Sequence, residues 1–89
     1  MRTSLLAPNQ ILITEENGNA HFKSYETTIC NIENGKIKLN AEYWNENQTA
    51  TTNRYLGTFL KIGQSKVKIY INSAIKSGLI EITTNIKKF

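Results

Sequence analysis

The stretch IENGKIKLN, Ile32 to Asn40, decides the fold that we expect. Asn34-Gly35 is a strong β-hairpin signal, because both residues tolerate the positive φ angles of a type I′ turn. After the turn, Ile37 and Leu39 alternate with polar residues, which indicates a strand with one face on a core and the other in water. The sequence therefore predicts an antiparallel hairpin whose second strand covers residues 36–40.

The same tripeptide, Glu-Asn-Gly, also occurs at residues 16–18. A strand pattern over residues 10–14 precedes it, and a β-like stretch over residues 20–32 separates the two turns. Because that stretch is long for one strand, we expect a bulge or break near Ser24-Tyr25-Glu26. Three strands joined by two turns predict an antiparallel meander.

A helix is predicted next along the chain. Thr51 or Thr52 supplies a hydroxyl for the N-cap, and Gly63 is expected at the position after the helix. One apolar stripe runs between them, formed by Tyr55, Leu56, Phe59 and Leu60. Gly57 lies inside this helix, where glycine is unfavourable, and we interpret it as a place where another backbone segment passes close.

Residues 65–78 fit both a strand and a helix. As a strand, Val67, Ile69 and Ile71 alternate with polar residues; as a helix, all the apolar residues except Ile69 fall on one arc. We favour the helix, with Ser65 as N-cap and Gly78 just after its end. Residues 79–84 then form a strand. The predicted order is β-β-β-α-α-β, a single small α+β domain over residues 1–89 with helices on one face of the sheet, a flexible N-terminus (1–8) and a basic C-terminal tail (85–89).

Charge is distributed unevenly along the chain. The net charge is +4, with four basic and five acidic residues in 1–44 but seven basic and two acidic residues in 45–89. A basic C-terminal half predicts an acidic partner, either a nucleic acid or an acidic protein surface. The alternative interpretation is that these lysines only solvate a small protein.

No set of catalytic residues is apparent. The single cysteine, Cys30, fits a core position, and the single histidine, His21, is expected at the surface or on an edge strand. The glutamates are scattered, and no phosphate-binding glycine loop or nucleophile-elbow motif is present. We therefore expect no enzyme activity, no cofactor and no metal site. No segment has the pattern of a signal peptide or the length of a membrane span, so the expected location is the host cytoplasm.

Residues 24–60 resemble a widespread group of small tailed-phage proteins. In that group a Ser-Tyr-x-Thr strand leads into a hairpin, an aromatic-rich segment and a Thr-Thr-x-x-x-Leu helix. The matching residues here are Ser24-Tyr25, Thr27, Asn34-Gly35-Lys36, Leu39-Asn40, Tyr43-Trp44, Thr51-Thr52, Leu56 and Phe59-Leu60. The resemblance implies a phage origin and implies no activity. The absence of Asp and the abundance of Asn, Lys, Ile and Thr also fit an AT-rich source.

Tyr43 and Trp44 have two interpretations. They are either exposed aromatics that anchor a partner or a strand end of which one ring packs under the helix and the other shields the sheet edge, and we favour packing. The candidate partner-binding residues are Tyr43, Trp44, Arg54, Lys61, Lys66, Lys68 and Lys76. The expected function is that of a phage-encoded accessory protein that binds and inhibits a host protein or nucleoprotein, as in anti-CRISPR or other anti-defence activity or host takeover. The alternatives are direct nucleic-acid binding and a structural, virion-associated role; a homodimer is compatible with each, and no membrane partner is expected.

Overall fold

The computed structural model describes all residues, 1–89. Six strands and three helices form one α+β unit, in the order β-β-β-β-β-α-α-α-β. The strands are β1 (Arg2–Ala7), β2 (Gln10–Thr14), β3 (Ala20–Ser24), β4 (Thr27–Glu33), β5 (Lys36–Asn40) and β6 (Ile80–Thr83). The helices are α1 (Ala41–Glu46), α2 (Ala50–Leu60) and α3 (Val67–Ser77). None of the three has the length and apolarity that crossing a membrane requires.

The sheet follows the chain order, β1-β2-β3-β4-β5-β6. The first five strands form an antiparallel meander, whereas β6 lies parallel to β5. A parallel neighbour needs a long crossover connection, and here the three helices supply it. The predicted meander is confirmed, and it has five strands rather than three.

The structure has two more strands than the sequence predicted. Residues 2–7, expected to be a flexible terminus, form β1, and the turn into β2 uses Pro8 and Asn9, with Asn9 at φ 64°. The break expected near Ser24-Tyr25-Glu26 is a complete chain reversal, so residues 20–32 form β3 and β4 instead of one strand. The Asn34-Gly35 turn is as predicted, with φ angles of 53° and 78°.

The helix boundaries differ from the expected ones in detail. Residues 41–46, expected as a strand end, form the short helix α1, because the Asn40 side chain caps it by accepting a hydrogen bond from the Tyr43 amide. Thr49, not Thr51 or Thr52, is the N-cap of α2, and that helix ends at Leu60, before Gly63. The helical interpretation of residues 65–78 is confirmed, as is Gly78 after its end; Lys66, not Ser65, is its N-cap.

The helices pack on one face of the sheet around an apolar core. Phe22, Leu39 and Leu56 are fully buried there, and the Phe22 and Phe59 rings stack with centroids 5.8 Å apart. Burial of each such side chain stabilises the fold by roughly 1.5–3 kcal/mol. Gly57 confirms the close approach expected from sequence, because a Cβ atom there would overlap the carbonyl of Gly63.

The C-terminal residues cover the opposite face of the sheet. Residues 85–89 have no regular secondary structure, but Ile86 is buried and the Phe89 ring lies 4.0 Å from the His21 ring, centroid to centroid. The Phe89 amide also donates to the Thr28 hydroxyl at 3.2 Å. The basic tail predicted from sequence is therefore bound to the sheet rather than free.

Candidate interaction surface

Tyr43 and Trp44 lie in the core, with 5% and 6% of their surface exposed. The Tyr43 hydroxyl donates to the Asn53 side chain at 2.6 Å, and burial raises its pKa above the usual value. The Trp44 indole N–H donates to the side-chain oxygen of Asn72 at 3.2 Å, which connects α1 to α3. Both rings therefore hold the helices together, and neither is available to stack on a partner.

The five basic candidates have the opposite placement. Arg54, Lys61, Lys66, Lys68 and Lys76 are all exposed, and none of them takes part in a salt bridge. No acidic residue occurs between Glu46 and Glu81, so α2, α3 and the segment between them carry five positive charges and no carboxylate. The outer sides of α2 and α3 are therefore basic, whereas α1 carries Glu42 and Glu46.

Four of these residues gather around the connection between α2 and α3. The Arg54 Nε–H donates to the Gln64 side chain at 3.0 Å, and Gln64 in turn donates to the Thr58 hydroxyl at 3.0 Å. Gln64 lies between Lys61, the C-cap residue after α2, and Lys66, the N-cap residue before α3. Lys68 follows in the first turn of α3. Lys76 lies in the last turn, about 15 Å from Lys66 along the helix axis, where a positive charge also favours the helix dipole.

Apolar side chains lie among these charges. Ile69 is 72% exposed and Tyr70 is 46% exposed. Because its side chain is mostly outside the core, Ile69 contributes little of the folding free energy that burial of an isoleucine provides. The sequence indicated that Ile69 is exposed, because it lies off the apolar arc of α3. The sequence placed Tyr70 on that arc, and in the structure Tyr70 lies at the exposed border of the arc. We call the set Arg54, Lys61, Lys66, Lys68, Ile69, Tyr70 and Lys76 the helical surface.

His21 is fully buried, contrary to the surface position expected from sequence. Its Nε2 lies 2.6 Å from a carboxylate oxygen of Glu15. The side-chain nitrogen of Asn31 donates to His21 Nδ1 at 2.8 Å and to the Cys30 carbonyl at 3.1 Å. The side-chain oxygen of Asn31 accepts a hydrogen bond from the Lys87 backbone amide at 3.0 Å. In this arrangement Nε2 carries the proton and donates to Glu15, and the hydrogen bond from His21 lowers the pKa of the Glu15 carboxyl.

This histidine has no nitrogen left for catalysis. Both ring nitrogens are engaged inside the protein, and the Phe89 ring packs against the imidazole. Cys30 is buried as expected, and burial raises the pKa of its thiol to about 12. It lies on the helix-covered side of the sheet, whereas His21 lies on the side covered by the tail. The cysteine and histidine thus do not form a nucleophile–base pair. No three of the histidine, cysteine and glutamate side chains lie close enough together to hold a metal ion.

Comparison with known proteins assigns the family. The model of a family of unknown function (DUF8033) matches residues 1–77, the range from β1 to the end of α3 that includes the whole helical surface. No curated protein and no solved structure matches the chain. The chain therefore belongs to the family of unknown function DUF8033.

Proposed function

We propose that this protein acts by binding, and that the helical surface docks onto an acidic surface of a partner protein. The observation that supports this is the combination of five unpaired positive charges and no carboxylate across α2 and α3. A lack of salt bridges is common to every lysine and arginine except Lys87, so the feature particular to α2 and α3 is that no carboxylate lies among their cations. Five cations on two neighbouring helices, with no carboxylate among them, favour an external acidic partner.

The exposed apolar side chains favour protein over nucleic acid. Protein interfaces combine a buried apolar or aromatic centre with a polar, charged rim, and Ile69 and Tyr70 among lysines have this composition. A duplex backbone offers no apolar surface for Ile69. The aromatic pair best suited to base stacking, Tyr43 and Trp44, is buried.

Direct binding to nucleic acid is the second candidate, because the same charges attract phosphates. If all five cations contacted phosphates, the logarithm of the binding constant would fall with the logarithm of salt concentration with a slope of about −4.5. With a single Arg among the five, bidentate reading of bases has little support, so this binding would be independent of sequence.

For the biological setting, we propose a phage-encoded inhibitor of a host protein or nucleoprotein that acts in the host cytoplasm. A basic surface would contact an acidic protein subunit or the exposed nucleic acid of such a complex. It would not occupy the groove in which the complex holds its nucleic acid, because such grooves are themselves basic.

The test is affinity capture from a lysate of the cells in which the chain occurs, with and without nuclease. Wild type is compared with Lys61→Asn/Lys66→Gln/Lys68→Gln, and with the matched control Lys23→Gln/Lys36→Gln/Lys38→Gln on the sheet. Asn is chosen at position 61 because this residue has φ 60°. The proposal expects a discrete protein that survives nuclease treatment, is retained by the control and is lost by the helical variant. Equal loss in both variants would show that only net charge matters, and recovery of nucleic acid alone would favour the second candidate.

A further inference from the structure

A cavity of about 440 Å³ opens at one end of the sheet, away from the basic candidates. Its walls come from four places: the β3–β4 reversal, the first turn of α1, the N-terminal end of α2, and the C-terminal tail through Ile86 and Lys88. The volume lies within the ~300–1,000 Å³ range of small-molecule sites. Only four of its 14 lining residues are hydrophobic, so a ligand that fits this cavity is polar.

The floor of the cavity is made of polar groups that already have partners. The Ser24 and Thr52 hydroxyls share a hydrogen bond of 3.0 Å, and Asn40 donates to the Thr28 carbonyl at 2.9 Å while capping α1. Each of these groups is fixed by contacts between distant parts of the chain. The floor is thus pre-organised, which reduces the entropy lost when a ligand binds.

The rim carries groups without partners in the protein. Glu26, Glu42 and Lys88 take part in no salt bridge, and the hydroxyls of Tyr25 and Thr27 make no hydrogen bond within the chain. The rim therefore offers two carboxylates that accept hydrogen bonds, one ammonium group that donates them, and two hydroxyls that do both.

Tyr25 has a backbone conformation that tyrosine rarely adopts. Its φ angle is 54°, in the left-handed region, and its side chain is 61% exposed at the cavity rim. The other non-glycine residues with positive φ are Asn9, Asn34 and Lys61; the first two are asparagines, which tolerate this region, and Lys61 follows a helix end, where it is common. Tyr25 is the first residue of the two-residue loop between Ser24 and Thr27, a position where a type II′ turn requires positive φ and glycine is usual, and here the turn places an aromatic ring beside the cavity.

We propose that this cavity binds a small neutral saccharide whose apolar C–H face packs on the Tyr25 ring. Sugar hydroxyls donate to the Glu26 and Glu42 carboxylates and accept from the Lys88 ammonium, so one neutral ligand satisfies rim groups of both signs. Two carboxylates against one ammonium group disfavour an anionic ligand, and a cationic ligand would pair with the carboxylates but leave the Lys88 ammonium without an acceptor. The site is separate from the helical surface, and the inference does not depend on the proposed function.

The experiment is an NMR titration of the full chain, observed through its backbone amides, with maltose, cellobiose and N,N′-diacetylchitobiose as probes. Spermidine and inorganic phosphate are the cationic and anionic controls. We expect at least one disaccharide to shift amides of the β3–β4 reversal, the start of α1 and the tail, with no comparable response to either control. Glu42→Gln should weaken that binding by about tenfold, the effect of one charge-assisted hydrogen bond.

Tyr25→Gly separates binding from folding. Glycine favours positive φ, so this variant should melt at the same temperature as wild type or higher, while losing disaccharide binding. Tyr70→Ala, which removes an exposed ring elsewhere, should leave the affinity unchanged. The proposal is overturned if no disaccharide shifts these amides, if spermidine or phosphate binds in their place, or if Tyr25→Gly retains wild-type affinity.

Discussion

The two faces of the sheet are covered in different ways. On one face, three helices bury apolar side chains such as Phe22, Leu39 and Leu56. On the other, five residues of irregular chain cover a polar network of His21, Asn31 and Glu15. The first face is held by packing, which is insensitive to pH, whereas the second depends on hydrogen bonds that change with protonation.

The same difference extends to the charges outside each layer. The tail cation Lys87 lies near Glu15 and over the Phe89 ring, at 5.2 Å from its centroid, so its charge contributes to the fold. The helical cations have no carboxylate partner. Because the apolar core already holds the helices, the outer sides of α2 and α3 are free to serve a partner, and the absence of carboxylates among their five cations is the basis of the functional proposal.

The largest expected effect is on the helix-covered face. Leu56→Ala should lower the free energy of unfolding by about 2–5 kcal/mol, because Leu56 is fully buried and its removal leaves a cavity. Urea denaturation followed by circular dichroism measures the change. A loss below about 1 kcal/mol would mean that packing on this face is looser than the structure shows.

Gly57→Ala should be less severe than Leu56→Ala but still destabilising. Alanine normally stabilises a helix by about 1 kcal/mol relative to glycine, but here its methyl group would meet the Gly63 carbonyl and the Val67 side chain. We expect a net loss of about 1–3 kcal/mol, the usual cost of overpacking. A gain in melting temperature would show that α2 and the segment after it are not in close contact. The control is Thr51→Ala, at an exposed position of the same helix.

The tail-covered face should show a smaller effect that depends on pH. His21 lowers the pKa of Glu15 in the folded chain, so this carboxylate stabilises the fold fully above its unfolded pKa of about 4.5. That contribution is lost as the pH falls through the lower, folded value. Melting temperatures between pH 6 and pH 3 should therefore fall less steeply for Glu15→Gln than for wild type. Identical slopes would show that Glu15 does not contribute to the loss of stability in acid. Glu16→Gln, which changes an exposed neighbour, is the control for general charge effects.

The smallest expected effect on stability is at Ile69. Ile69→Ala should change the free energy of unfolding by no more than about 0.5 kcal/mol, because the side chain is mostly exposed. Ile71→Ala, two residues away and fully buried, should cost about 2–5 kcal/mol and serves as the matched comparison. If Ile69 contributes to docking, the first variant should nevertheless weaken capture of the partner. Unchanged capture of the partner by Ile69→Ala would show that Ile69 is not part of the binding surface.

Local signals in the sequence predicted much of the helix-covered face. Asn34-Gly35 identified a turn, Gly78 marked the end of α3, and the apolar arc of residues 67–75 identified its buried side. These features depend on residues within one or two turns of each other, which is the range that periodicity can read. Helix α1 was missed because six residues are too few for a periodic pattern, and its cap, Asn40, belongs to the preceding strand.

The tail-covered face could not be predicted in the same way. His21 is buried by Glu15, Asn31 and Phe89, and these contacts span up to 68 positions of the sequence. Strand β1 was missed because it has few buried side chains, and its pairing with β2 provides its order. For the helical surface, the sequence located the charges and favoured packing of Tyr43 and Trp44, but only the structure showed that both rings are buried and that Ile69 lies among the lysines.

Amide hydrogen exchange tests the central claim most directly. It is measured on the chain alone and on the chain saturated with the protein that wild type retains after nuclease treatment. Our account predicts slower exchange in the second half of α2, in the connection to α3 and along α3, with unchanged exchange in β1, in β2 and in the C-terminal tail. Protection confined to β1 or to the tail, with α3 unaffected, would contradict the assignment of the helical surface as the binding site.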